Sequence, residues 1–154
     1  MNKKILLLLI VFVAAISIAG VCAAELTKEN DFDGLFKMNI GANESFTNMS
    51  DGQEFSTFLN SKMAYSNDNG NIFAFVYNDN MHQSIMYASQ NENYPFDTDG
   101  DLTVLNATDH MSNELDGNIT VLAGKSNNDE SITVLIGGSN DTLVKEYANT
   151  IKFD

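Results

Sequence analysis

The hexapeptide Ile72-Phe73-Ala74-Phe75-Val76-Tyr77 limits what this chain can become more than any other stretch. An extended segment sends alternate side chains to opposite faces, so a run that is apolar at every position must be covered on both. It demands a central strand with material above and below it. Met63 to Ser66 leads into Asn67-Asp68-Asn69-Gly70-Asn71, where Asn-Gly tolerates the positive φ of a hairpin turn. Asn78-Asp79-Asn80 makes the next turn, and Gln83 to Ala88 is expected to return as a third strand of an antiparallel meander.

The closing segment from Ser131 to Phe153 says how such a sheet is sealed. Ile132 to Ile136 is a buried strand, Gly137-Gly138 a break, and Ser139-Asn140-Asp141 a polar cap. An amphipathic helix follows from Thr142 to about Lys152, with Leu143, Val144, Tyr147, Ala148 and Ile151 on one face. Asn140 or Asp141 is the natural N-cap, and Lys152 lies where positive charge favours the helix dipole. Ile119 to Gly124 resembles the Ile132 strand in content and forms a hairpin with it through Lys125 to Glu130. Leu102 to Leu105 is a short strand, and Phe36, Met38 and Ile40 alternate with polar residues as a first strand. Residues 44–58 read as a loop with a short helical turn at Gln53 to Leu59, and residues 106–117 stay open between helix and loop. The fold class is therefore α+β, an antiparallel sheet of about six strands with a C-terminal amphipathic helix packed on one face.

The N-terminus is of another kind. Asn2-Lys3-Lys4 precedes an apolar run from Ile5 to Ile18 interrupted only by Ser17, then Ala19-Gly20 and Val21-Cys22-Ala23-Ala24. Cleavage after Ala23 leaves Val21 and Ala23, and cleavage after Ala24 leaves Cys22 and Ala24, at the two positions a signal peptidase reads, so residues 1–24 are expected to be a secretory signal. The run is short against the roughly 20 residues of a spanning helix. Lipidation of Cys22 would place Val21 where that signal wants a smaller residue. Residues 25–33 read as a charged tether and residues 34–154 as a single domain. Cys22 is the only cysteine, so the chain after cleavage has no thiol or disulfide chemistry.

The formal charge is −13, and without Lys3 and Lys4 it becomes −15, with no arginine anywhere. Such a surface repels phosphate backbones and anionic lipids, so neither nucleic acid nor a membrane surface is an expected partner, and no membrane insertion is expected after cleavage. It suits cations, basic partners or plain solubility.

Asp97-Thr98-Asp99-Gly100-Asp101 is the sharpest local constellation. Three carboxylates at alternate positions resemble the first half of a calcium loop, and Asp97, Asp99 and Asp101 are the candidate metal ligands. The pattern then departs, with Leu102 where that loop needs glycine and Thr108 where it needs glutamate. The plain alternative is an acidic surface turn. Asn-x-Ser/Thr occurs at Asn43, Asn48, Asn106, Asn118 and Asn140, which are candidate glycosylation sites in an exported chain, although an asparagine-rich composition supplies most such matches by chance. His82 and His110 have no ligand spacing, though Asp109 and Glu114 flank the latter. Gly137-Gly138-Ser139 lacks the second glycine of a nucleophile elbow. Phe73 and Phe75 are core, whereas Tyr65, Tyr77 and Tyr87 are open between core and recognition.

Phe36-Lys37-Met38-Asn39-Ile40 near the start, and Thr133-Val134-Leu135-Ile136-Gly137-Gly138 with Leu143 to Phe153 at the end, resemble small exported proteins of uncharacterised function from methanogenic archaea. The arrangement is also similar to the PsbP/Mog1-like sandwich, which opens on a strand hairpin and closes with a strand followed by a helix. This chain lacks the proline found after the first strand there. The resemblance covers the two ends, implies fold and compartment, and carries over no functional residue.

The reading that results is an exported or envelope-associated, non-enzymatic domain with a binding or accessory role, its ligand an unknown protein or small molecule. No cofactor is expected, and Ca2+ is the one ion with a candidate site. The alternatives are a calcium-dependent binding module using Asp97 to Asp101 and a hydrolase with an unrecognised site.

Overall fold

The structure, a computed structural model, describes residues 25–50, 58–107 and 118–154. The expected signal, the helical turn before Leu59, His110 and most of the ambiguous 106–117 stretch lie outside the described residues. Among the described residues the fold is α+β, with nine strands in two sheets and two helices. A two-stranded hairpin pairs β1 (Leu26–Phe32) with β2 (Phe36–Gly41). The main sheet contains β3 (Phe46–Asn48), β4 (Met63–Asn67), β5 (Ile72–Tyr77), β6 (Asp97–Asp99), β7 (Leu102–Asn106), β8 (Val121–Ser126) and β9 (Thr133–Gly138), in the order β3-β4-β5-β9-β8-β7-β6. All pairings are antiparallel. Helix α1 (Met81–Ser89) follows β5, and α2 (Asp141–Asn149) follows β9.

Strand β5 is buried at every position and lies inside the sheet, as its sequence requires. One of its faces, Ile72, Ala74 and Val76, joins Val134 and Ile136 in a core shared with Phe36, Met38 and Ile40 of the hairpin and with Val144, Tyr147 and Ala148 of α2. The other face, Phe73, Phe75 and Tyr77, packs with Leu122, Leu135 and with Ile85 and Ala88 of α1. Hairpin and closing helix thus cover one side of the sheet, and α1 the other.

Several expectations change, the strand count among them: nine strands in two sheets stand where one sheet of about six was expected, and β3 falls within the residues 44–58 that read as a loop. Residues 25–33 are not a tether: Leu26–Phe32 is a strand in register with β2, and Asp33 and Gly34 turn the chain at φ 55° and 72°. Asp-Gly is itself a hairpin signal, and a strand with one solvent face needs few apolar residues when backbone pairing holds it. Gln83 to Ala88 is helix rather than a third strand. Asn80 caps it by accepting from the Gln83 amide at 3.0 Å, and the buried Ser84, Ile85 and Ala88 follow a helical spacing. The partner of β5 is instead β9.

Gly137-Gly138 is no break, since both residues belong to β9. A Cβ at Gly138 would lie 2.8 Å from the carbonyl oxygen of Asn71 and 3.0 Å from Val144 Cγ2, so glycine there lets helix and hairpin loop close on the strand. The expected hairpin of the Ile119 and Ile132 strands is present as β8–β9. Asn140 caps α2, accepting from the Leu143 amide at 3.0 Å, but Lys152 lies beyond the helix and pairs with Glu29 at 2.7 Å rather than with the dipole.

Candidate functional site: an oxygen-lined cleft beside the closing helix

Strand β2 ends at Gly41, and a tight turn brings Glu44 back so that its amide donates to the Gly41 carbonyl at 3.1 Å. The Glu44 carboxylate then gathers three donors. Oε2 accepts from the Gly41 amide at 2.8 Å and from the Tyr147 hydroxyl at 2.6 Å, and Oε1 accepts from Asn67 Nδ2 at 2.8 Å. Asn67 is 5% exposed and saturated, since Nδ2 also donates to Asn71 Oδ1 at 2.7 Å and Oδ1 accepts from the amides of Asn71 and Ile72. One carboxylate and one amide therefore join the β2–β3 turn, the β4–β5 loop and α2. Burial, reinforced by the Glu44 hydrogen bond and charge, holds the Tyr147 phenol well above its ordinary pKa.

Above this floor is an open cleft of about 420 Å³. Its walls are the turn from Gly41 to Glu44, the loop Asp68, Asn69 and Asn71, and Leu143 with Tyr147 on the helix. Asn43, Asp68, Asn69 and Asn71 are exposed on its rim. Gly70, at φ 66°, donates its amide to the Asn67 carbonyl at 3.0 Å and fixes the loop. Among the described residues the lining holds two carboxylates and no basic residue. Sequence reasoning treated Asn67 to Asn71 only as a turn and Tyr147 only as core. The available signal was a loop with more amides and carboxylates than a hairpin needs.

The residues singled out earlier are scattered. Asp97 and Asp99 lie on β6, an edge strand, and Gly100 at φ 60° starts the two-residue turn into β7, with Asp101 after it. Asp99 pairs with Lys145 at 3.3 Å, which also holds Asp141 at 3.2 Å. Among the described residues no three His, Cys, Asp or Glu side chains are grouped to hold a metal. Charge on a short edge strand also discourages pairing with another chain. His82 is exposed on α1.

Tyr65 and Tyr77 are buried, donating to Asp33 Oδ2 at 2.7 Å and to the Leu59 carbonyl at 2.9 Å, while Tyr87 is 42% exposed. Ser84 is buried and donates to the Asn80 carbonyl, a helical back-bond with no nucleophile geometry. All five sequon asparagines, Asn43, Asn48, Asn106, Asn118 and Asn140, are exposed. Asn48 Nδ2 reaches Asp33 at 3.4 Å and Asn140 is committed to its cap, whereas Asn43 stands on the cleft rim.

Among the described residues no helix is long and apolar enough to cross a membrane. Comparison of the chain with family models, with curated proteins and with solved structures found no match.

Proposed function

We propose that the chain is an exported or envelope-associated, non-enzymatic domain whose role is to bind, and that the cleft between the Asn67–Asn71 loop and α2 is where it does so. Export rests on the leader-like residues 1–24. The observation that carries the binding role is the division of labour in the cleft. Its floor is a hydrogen-bond network in which Glu44 and Asn67 are already satisfied, and its rim presents polar groups to solvent. A general base must be free to receive a proton from a reacting group. Glu44 is instead occupied by three donors, so it stiffens the site rather than reacting in it. A preorganised polar concavity is what recognition uses, because little ordering cost remains on binding.

Amide NMR spectra of the chain lacking residues 1–24, titrated with a neutral sugar, a dicarboxylate and a lysine-containing tripeptide, test this reading. The expected result is saturable movement of the Gly41, Asn69, Gly70 and Asn71 signals with at least one probe. Movement confined to signals outside the cleft, or none at all, overturns it.

A further inference from the structure

The lining of the cleft points to the class of ligand. We propose that it takes a primary ammonium group carried on an aliphatic stem, as in a lysine side chain or an alkylamine; the proposal rests on the cleft being the binding site.

Of the two carboxylates in the lining, Glu44 is consumed by Gly41, Asn67 and Tyr147. Asp68 is exposed, and its only hydrogen bond among the described residues runs from its backbone amide to the Ser45 carbonyl. Its carboxylate is therefore available. The side chains of Asn43 and Asn69, in the same lining, make no hydrogen bond among the described residues either, so each has a carboxamide oxygen free to accept. An ammonium group offers three donors and no acceptor, which matches a lining with one free carboxylate and carboxamides that can turn an oxygen toward the bound group. An anion would meet two carboxylates and, among the described residues of the lining, no lysine, histidine or arginine.

Leu143 supplies an apolar strip beside the Tyr147 ring, against which a methylene stem can lie while its charged end stays at the rim. A divalent cation fits less well, because it seeks a nearly complete shell of oxygens with several free carboxylates, and one is free here. The net charge of −13 draws cations toward the molecule from a distance.

The test compares Nα-acetyl-lysine methylamide, n-butylamine and Nα-acetyl-norleucine methylamide by amide NMR on the chain without residues 1–24. Both amines are expected to shift the Gly41, Asn69, Gly70 and Asn71 signals saturably, and the norleucine amide is not. Asp68→Asn removes one exposed charge and should weaken amine binding about fivefold, the scale of a surface ion pair. Added salt should weaken it further. Tighter binding of the lysine amide than of butylamine assigns a lysine within a peptide; equal binding assigns the ammonium group alone. If norleucine binds as well as lysine, or if Asp68→Asn changes nothing, the ammonium assignment fails while the cleft remains a binding site. If the neutral sugar or the dicarboxylate moves these signals and the amines do not, the result is the same. If no probe of either panel moves them, the cleft reading itself fails. The spectrum of Asp68→Asn reports at once whether that variant is folded.

Discussion

The hydroxyl of Tyr147 donates to Oε2 of Glu44 at 2.6 Å, joining the closing helix to the β2–β3 turn across 103 positions of sequence. Tyr147→Phe keeps the ring in its core but leaves that oxygen with the Gly41 amide alone. A hydrogen bond to a charged acceptor in a partly screened place contributes about 1–2 kcal/mol. The expected result is a fall in Tm of about 3–10 °C with no loss of cooperativity, read by thermal denaturation. Tyr147→Asp, which buries a charge in the core, should leave no folded transition at all.

Tyr65 and Tyr147 both donate to carboxylates, Asp33 and Glu44, at opposite ends of the β1–β2 hairpin. Burial, aided by those carboxylates, holds both phenols well above the ordinary value. Each keeps its proton more tightly folded than unfolded, so the stability it contributes is intact below about pH 10 and is lost as pH rises beyond it. Unfolding free energy from urea titrations should fall by at most about 1.4 kcal/mol per pH unit for each phenol above that point. The double variant Tyr65→Phe, Tyr147→Phe should be less stable at neutral pH and flatter in alkali. An unchanged alkaline slope would remove these phenols as its cause.

How much of this was legible in the chain depends on what each signal had to compete with. Ile72 to Tyr77 was read correctly because an all-apolar strand admits one placement. The start of the C-terminal helix was read correctly because its periodicity and its cap agree, but the helix ends at Asn149, short of the expected Lys152, and leaves Ile151 beyond it. Gln83 to Ala88 failed because Ile85 and Tyr87 are β-formers in a short apolar run, and Asn80 was read as turn instead of cap. Leu26 to Phe32 failed because charged residues masked a strand held mainly by its neighbour, although Asp33-Gly34 announced the turn. The cleft was the least legible. Glu44, Asn67 and Tyr147 lie far apart in sequence, and only the antiparallel register and the packing of α2 bring them together.

Asn67→Asp tests the network with almost no change of shape. The new oxygen in place of Nδ2 would face Glu44 Oε1 at 2.8 Å and Asn71 Oδ1 at 2.7 Å, acceptor against acceptor. The expected loss is about 2–4 kcal/mol at neutral pH. Two carboxylates so close raise the pKa of the pair in the folded state, so the penalty is present above that value and recedes as pH falls through it. Urea titrations at about pH 7 and pH 5 should show the gap to the parent chain narrowing; a constant gap would mean that lost shape complementarity, not charge, is responsible.

Gly124 and Gly34 separate two reasons for glycine. A Cβ on Gly124 would stand 1.9 Å from the Val134 carbonyl oxygen, in the β8–β9 pair beside the centre of the sheet. Backbone must move to admit it, so Gly124→Ala should cost about 3 kcal/mol or more. Gly34 has open space around its Cβ direction but sits at φ 72°, where an L-residue is strained by about 1–2 kcal/mol. Denaturant midpoints should rank parent, then Gly34→Ala, then Gly124→Ala. A reversed order would mean that β8 and β9 are not so closely apposed.

The β6–β7 hairpin gives the last prediction, because two accounts of its acidic residues differ in a measurable way. As an edge strand, β6 uses Asp97 and Asp99 to discourage pairing with other chains, and Asp99 meets Lys145 at 3.3 Å in an exposed ion pair. Such a pair contributes about 0–1 kcal/mol. Asp99→Asn should therefore barely change Tm, while Asp97→Val with Asp99→Val should raise the tendency to associate, visible as a concentration-dependent sedimentation coefficient. As a calcium loop, the same residues would bind the ion only when folded, and calcium would raise Tm saturably in the parent chain but not in Asp99→Asn. On the edge-strand account calcium acts no differently from magnesium at equal ionic strength. A saturable, calcium-selective rise abolished by Asp99→Asn would instead assign the hairpin a metal.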